Sequence, residues 1–193
     1  MVQIVLIRPG STDYDQQQRI QGTLDIPLNA EGDSEVERLI GELSKRDMEI
    51  LYTSPSKSAR QTAEILGKAL EIKVKKLDRL TNVDHGLWQG MLVDDVRQKQ
   101  PKVYRQWQEQ PESVCPPEGE MLEEAETRIR AVLGKLLKRH KNGVIGLVVP
   151  EPLASLIRHH FDQNGLGNLW QASAGHGRWE ILRVEPQVLV QGG

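Results

Sequence analysis

Short apolar runs alternate along the chain with longer segments in which apolar residues recur every three or four positions. The run Val2 to Ile7 is β-branched and almost continuously apolar, which is typical of a strand buried on both faces. Shorter runs at Ile50 to Thr53, Ile72 to Leu77 and Val144 to Val149 predict three further strands. Residues 8–28 are polar and rich in Gln, Asp and Gly, so they predict a long loop after the first strand.

The segments between these strands carry the spacing and the end signals of helices. Asn29 is a good N-cap residue, and Ser54-Pro55 combines a cap with a proline in the first turn. Acidic residues crowd the start of the longest helix and basic residues its end, which complements the helix dipole. The helices predicted in this way span approximately 29–43, 54–69, 92–100, 101–109, 120–141 and 152–165.

Strands that alternate with helices predict an α/β fold with a mainly parallel sheet flanked by helices. A length of 193 residues suits a single domain that spans residues 1–193. The segments 169–174 and 178–185 flank Gly175-His176-Gly177, which predicts a C-terminal hairpin. The terminal Gly192-Gly193 is interpreted as a frayed chain end.

Composition and charge mainly exclude classes of partner and location. A net charge of -2 offers no general attraction to nucleic acid or to an anionic membrane. No apolar run approaches the roughly 20 residues that span a bilayer, and Val2 to Ile7 is too short for a signal peptide. The only cysteine is Cys115, which favours a reducing compartment. We therefore expect a cytoplasmic protein that contacts neither nucleic acid nor membrane.

Several motifs then occur in a fixed order over nearly the whole chain. They are Leu6-Ile7-Arg8-Pro9-Gly10-Ser11-Thr12, Arg19-Ile20-Gln21-Gly22, Leu24-Asp25-Ile26-Pro27-Leu28, Thr53-Ser54-Pro55, Ala59-Arg60-Gln61-Thr62-Ala63, Gly86-Leu87-Trp88-Gln89-Gly90 and Pro116-Pro117-Glu118-Gly119-Glu120. Together these motifs resemble the histidine phosphatase superfamily, which is phosphoglycerate-mutase-like, and the resemblance implies its α/β fold. Fold alone does not imply activity.

The resemblance also implies where the family's reactive residues fall. The family is similar in using two histidines, two arginines and a glutamate around a phosphate. Here the first arginine is Arg8, and its neighbours in the expected phosphate site include Gln21 and Gly22. The other positions are replaced: Pro9 stands for the nucleophilic histidine, Ser58 for the second arginine, Asn82 for the acid, Glu151 for the second histidine and Asp15 for an asparagine.

These replacements remove the chemistry that phosphoryl transfer through a phosphohistidine requires. A proline supplies neither a nucleophile nor a base. The family pattern carries a formal charge of +1, whereas Arg8 with Glu151 and Asp15 gives -1 and should repel a phosphate dianion. Pro150 and Pro152 also remove N–H donors beside a helix start. We therefore assign no catalytic residue and expect a vestigial phosphate site, in which Arg8 pairs with Glu151 and Asp15 takes a second edge of the guanidinium.

The function expected from the sequence is a binding or regulatory role without catalysis. The partner would be an unknown protein, a small-molecule ligand or a second copy of the chain in a homo-oligomer, and neither a cofactor nor a metal is expected. One alternative is a phosphomonoester phosphatase or mutase with a relocated catalytic residue, for which His85 is the candidate nucleophile. Another is a structural subunit that pairs with an active relative.

Overall fold

The computed structural model describes residues 1–184, so the interpretation of Gly192-Gly193 lies outside the described residues. Its strands are β1 (Val2–Ile7), β2 (Ile50–Thr53), β3 (Lys73–Lys76), β4 (Gly143–Val148) and β5 (Trp179–Arg183). Its helices are α1 (Asp13–Gln16), α2 (Ala30–Leu43), α3 (Lys57–Ala69), α4 (Val93–Lys99), α5 (Pro101–Glu109), α6 (Leu122–Arg139), α7 (Leu153–Asp162) and α8 (Leu169–Ala172). Short 3₁₀ turns occupy Asp78–Leu80, Gly86–Trp88 and Pro111–Ser113.

The five strands form one sheet in the order β3-β2-β4-β1-β5. All neighbouring pairs are parallel except β1 and β5, which run antiparallel. The mainly parallel α/β fold expected from the sequence is therefore confirmed. Parallel strands end at the same edge of a sheet, so the residues that follow β1, β2 and β4 lie near one another.

Helices cover both faces of the sheet and bury two separate apolar clusters. On one face α2 and α3 pack residues such as Leu39 and Leu66 against β1 and β2. On the other face α6 and α7 contribute Leu133 and Ile157 to a larger cluster. The apolar stripes that predicted these helices point toward the sheet, because burial of those side chains drives the helices onto it.

The predicted C-terminal hairpin is wrong. Residues Leu169–Ala172 form α8, which is capped when the side chain of Asn168 accepts a hydrogen bond from the N–H of Trp170. The strand that follows the Gly175-His176-Gly177 turn pairs instead with β1, with Leu6 opposite Glu180. The local pattern of residues shows that a segment forms a strand, but it does not show which strand is its partner. Here that partner is the edge of β1.

No helix in the described part of the chain is long and apolar enough to cross a membrane.

Candidate functional site

Four segments meet at the carboxyl edge of the sheet and bring the expected site residues into one cavity. Arg8 and Pro9 follow β1, Ser58 lies in the first turn of α3 after β2, and Glu151 follows β4. The loop after β1 adds Asp15, Gln21 and Gly22, and the segment between β3 and α4 adds Asn82 and His85. All nine positions line the same cavity of about 470 Å³.

Arg8 is held between two carboxylates. Its Nε donates to Glu151 Oε1 at 2.6 Å, and its Nη2 donates to Glu180 Oε1 at 2.7 Å. The side chains of Arg8 and Glu151 are only 11% and 5% exposed. Burial alone would lower the pKa of Arg8, but the carboxylates of Glu151 and Glu180 outweigh burial and raise the pKa above its ordinary value. The expected pairing of Arg8 with Glu151 is thus confirmed.

Glu151 uses its second oxygen at the start of α7. Its Oε2 accepts hydrogen bonds from the Ser155 backbone N–H at 3.1 Å and from the Ser155 hydroxyl at 2.7 Å. A helix N-terminus attracts anions because its first N–H groups lack partners within the helix. Here the anion at this helix start is a side chain of the protein itself, so Glu151 joins Arg8 to the N–H of Ser155.

The expected contact between Asp15 and Arg8 is wrong. Asp15 Oδ2 instead accepts from the backbone N–H and hydroxyl of Thr12, which forms a capping box at α1, and Asp15 Oδ1 accepts from Gln21 Nε2 at 2.7 Å. His176 Nδ1 lies 3.7 Å from Asp15 Oδ1. A carboxylate three residues after a threonine satisfies local backbone donors first, and Glu180 takes the second edge of Arg8.

Asn82 acts as a structural clamp. Its Nδ2 donates to the carbonyl oxygens of Gly22 and Glu151, both at 3.0 Å, and so joins two of the loops that form the cavity. Flipping the amide would place its oxygen against two carbonyl oxygens, so this orientation is fixed. An ionised acid at this position could donate neither hydrogen bond, because a carboxylate only accepts.

Pro9 and Ser58 are buried residues of the cavity wall. The carbonyl of Pro9 accepts a hydrogen bond from the N–H of Gly177 at 2.8 Å, which ties the end of β1 to the loop before β5. The Pro9 side chain brings no ionisable or nucleophilic group to the cavity.

His85 is buried in an aromatic environment. Its ring packs edge-on against Trp107, with ring centroids 5.3 Å apart, and lies nearly parallel to Trp88. Burial lowers the pKa of His85 to about 4, although the charge of Asp84 acts in the opposite direction. The ring is therefore neutral at pH 7. Its Nδ1 is enclosed and has no hydrogen-bond partner among the described residues.

Other residues at or around the cavity were not predicted from the sequence. Glu180, the second partner of Arg8, was missed because its strand was assigned to a hairpin instead of to the edge of β1. Arg19 lines the cavity too, and with Arg8, Asp15 and Glu151 it brings the formal charge of the lining to zero, where the sequence reasoning counted -1. The aromatic wall of Tyr104, Trp107 and Trp170 was signalled only by the number of tryptophans between 88 and 170.

These features define the class of protein. It is an α/β protein whose candidate site lies at the carboxyl edge of a mainly parallel sheet, around an arginine that follows the first strand. The model of the histidine phosphatase superfamily, branch 1, matches residues 4–190. The chain therefore belongs to the histidine phosphatase superfamily, as the sequence motifs predicted.

Known relatives agree with this assignment. The chain is 35% identical over 148 residues to phosphoserine phosphatase 1 of Hydrogenobacter thermophilus, which covers 77% of this chain and 70% of that protein. It is 28% identical to a probable phosphoglycerate mutase of Serratia proteamaculans, over 71% of this chain and 64% of that protein. Among solved structures, a mycobacterial glucosyl-3-phosphoglycerate phosphatase in complex with VO3 superimposes with a TM-score of 0.84 at 25% identity, over 94% of this chain and 92% of that one.

Proposed function

We propose that this chain is a non-catalytic member of the histidine phosphatase superfamily that uses its cavity for binding or regulation. One observation carries the proposal: the carboxylate of Glu151 accepts hydrogen bonds from Nε of Arg8 and from the Ser155 N–H at the start of α7, two donors that an incoming phosphate would need. Beside this pair stands Pro9, where the family resemblance puts the nucleophilic histidine. The proposed vestigial site thus satisfies its own charge.

Three further positions support the same proposal. Ser58 offers a hydroxyl where the resemblance expects a second guanidinium, so no second cation clamps a phosphate there. Asn82 stands where the resemblance expects an acid, and its amide donates hydrogen bonds to two backbone carbonyls. Nucleophile, cation and acid are therefore replaced together, which removes the whole set on which phosphoryl transfer depends.

A second candidate function has support from the relatives. Their names are those of phosphatases and mutases, which favours a phosphomonoester phosphatase or mutase with a relocated catalytic residue. His85 is the candidate, since it lines the same cavity as Arg8 and its low pKa leaves it neutral at pH 7. Against it, the ring has no hydrogen bond to an orienting group among the described residues, and Nδ1 is enclosed between aromatic side chains.

Hydrolysis of a generic phosphomonoester, of phosphoserine and of phosphoglycerate tests the two candidates. The purified wild-type chain and its His85→Ala variant are assayed beside the active Hydrogenobacter relative. We expect no phosphate release above the enzyme-free background from either form of this chain. Turnover that survives extended purification and is lost in His85→Ala would overturn the proposal and establish the relocated site.

Partners and location stay predictions. The proposed partner is a protein, a small-molecule ligand or a second copy of the chain in a homo-oligomer. The expected cytoplasmic location is proposed on the single Cys115, which suits a reducing compartment.

A further inference from the structure

The cavity extends well beyond the Arg8–Glu151 pair and ends at an aromatic wall. Helix α5 supplies Tyr104 and Trp107 to this wall, and α8 supplies Trp170. A volume of about 470 Å³ lies within the range of small-molecule sites. The space is therefore much larger than a phosphate ion needs, and its lining includes several aromatic side chains and amides.

The wall is preorganised. The rings of Tyr104 and Trp170 are parallel within 8°, with centroids 5.2 Å apart, and Trp107 stands 6.1 Å from Trp170. Trp170 Nε1 donates to the backbone carbonyl of Tyr104 at 3.1 Å, so the polar end of the indole is already used within the protein. Trp107 is only 3% exposed, so the rigid apolar surface of the wall comes from the half-buried Tyr104 and Trp170. Such a surface favours a ligand with a flat apolar face.

The charges of the cavity do not favour an ionic ligand. Arg8 is neutralised by Glu151 and Glu180, and the lining residues Arg8, Arg19, Asp15 and Glu151 sum to zero. Asp15 accepts from Thr12 and Gln21, and the guanidinium of Arg19 donates to the carbonyl of Gly90. A phosphate that entered this half-enclosed space would have to compete with Glu151 and Glu180 for Arg8, and with the oxygens of Gly90 and Gln17 for Arg19.

Uncharged amides provide the remaining hydrogen-bonding capacity. Gln18, Gln108 and Gln171 line the cavity and are exposed at its rim. Each side-chain amide carries both donors and an acceptor, which matches hydroxyl groups and the amide-like edges of nucleobases.

We propose that this cavity binds an uncharged ring compound that carries several hydroxyl or amide groups, such as a free sugar or a nucleoside, in its unphosphorylated form. The ring packs against the half-buried side chains of Tyr104 and Trp170, and the polar groups bond to the glutamine amides. The inference rests on the proposed non-catalytic function, because an active phosphatase would select the phosphorylated compound at Arg8.

Binding is measured by tryptophan fluorescence and by calorimetry with matched pairs of probes: adenosine, guanosine, cytidine, uridine, glucose and mannose, each beside its monophosphate. We expect saturable binding of at least one neutral probe with a Kd below about 10 mM, and no tighter binding of its monophosphate. The class of probe that binds, nucleosides, sugars or both, identifies the kind of ring compound that the cavity accepts. Binding of none of the neutral probes by the folded protein would overturn the inference, as would a monophosphate that binds about tenfold more tightly than its neutral partner.

Variants locate the site. Trp170→Ala is expected to weaken binding of the responding probe by about tenfold or more, and the rim variants Gln108→Ala and Gln171→Ala to weaken it severalfold while leaving the fold intact. Trp179→Phe is the matched control, since Trp179 packs under Arg46 and donates to Glu42 and does not line the cavity. Unchanged affinity in all the cavity variants would overturn the assignment of the site.

The same samples separate this inference from the proposed function. Release of inorganic phosphate from any monophosphate would overturn the non-catalytic proposal, whatever the neutral probes do. Absence of both turnover and neutral binding would leave the non-catalytic proposal standing and reject only the ligand class.

Discussion

The Nε atom of Arg8 and the Oε1 atom of Glu151 lie 2.6 Å apart, although 143 positions separate the two residues along the chain. The register of β1 and β4 explains this proximity, because Ile7 lies opposite Val148 and both strands then end at the same edge. The guanidinium of Arg8 thus forms an ion pair within the protein with a carboxylate, the group that its planar fork of donors binds best.

Restoring the nucleophile alone should not create a phosphatase. Pro9→His places an imidazole beside an arginine that Glu151 and Glu180 already hold, and Ser58 and Asn82 remain. Because such groups act as a unit, one restored member gives little rate. We expect no phosphate release and no phosphohistidine by ³¹P NMR. A stable phosphohistidine in the single variant would contradict the proposed loss of the surrounding site.

Inorganic phosphate should bind weakly to the wild type and better once Glu151 is neutralised. Glu151→Gln removes one of the two carboxylates from Arg8 while it keeps the shape of the side chain. By calorimetry at pH 7 we expect the Kd of the wild type for phosphate to exceed about 10 mM. The Kd of Glu151→Gln should be about tenfold lower than that of the wild type. Adding Arg8→Ala should abolish the gain. Micromolar affinity in the wild type that depends on Arg8 would refute this.

Breaking the buried pair should cost much stability. Arg8→Met leaves the carboxylates of Glu151 and Glu180 near apolar surroundings, so we expect the free energy of unfolding in urea to fall by about 3 kcal/mol. The double variant Arg8→Met/Glu151→Leu should recover part of this loss. Arg60→Met is the control: Arg60 pairs with Asp25 at 3.8 Å on the surface and should cost less than about 1 kcal/mol. Equal losses at both arginines would show that burial of the Arg8 pair is unimportant.

The neutral His85 should make stability depend on pH. Its pKa is lowered from 6.5 to about 4 by burial, so below pH 6.5 the unfolded chain binds a proton that the folded chain excludes. The contribution of neutral His85 to the free energy of unfolding is fully present above pH 6.5 and is lost as pH falls toward 4. The total loss is about 3 kcal/mol. His85→Phe should flatten this part of the profile of unfolding free energy against pH.

The difference between wild type and His85→Phe isolates the effect. His160 also has a lowered pKa, through burial and the nearby charges of Arg130 and His159, but it is present in both proteins and cancels. Parallel profiles for the two proteins between pH 4 and 6.5 would mean that His85 titrates normally in the folded state.

Asn82 should tolerate no carboxylate. Asn82→Asp keeps the size of the side chain but removes the two hydrogen bonds to the carbonyls of Gly22 and Glu151. Because an ionised carboxylate then faces two carbonyl oxygens, we expect a loss of about 2 kcal/mol in the urea unfolding free energy at pH 7. Asn142→Asp, at an exposed position, serves as the control. Equal stability of the two variants would exclude the clamp.

The sequence by itself determined the fold and the composition of the candidate site. Apolar periodicity located the main strands and helices, because burial of apolar side chains against a sheet imposes that spacing wherever it occurs. The order of the motifs predicted the superfamily, and the identities of Pro9, Ser58, Asn82 and Glu151 predicted a site without the usual reactive groups. The ends of β1 and β4 also allowed the pairing of Arg8 with Glu151 to be predicted, because parallel strands end at one edge.

Only the tertiary structure decided the contacts that depend on which distant segments meet. The antiparallel pairing of β5 with β1 brought Glu180 to Arg8, whereas the local pattern predicted a hairpin. The capping box with Thr12 kept Asp15 away from Arg8, since a local backbone donor competes with a distant guanidinium on nearly equal terms. The aromatic wall likewise arose where α5 meets α8, because long-range packing is set by the whole fold and not by the spacing of residues within one helix.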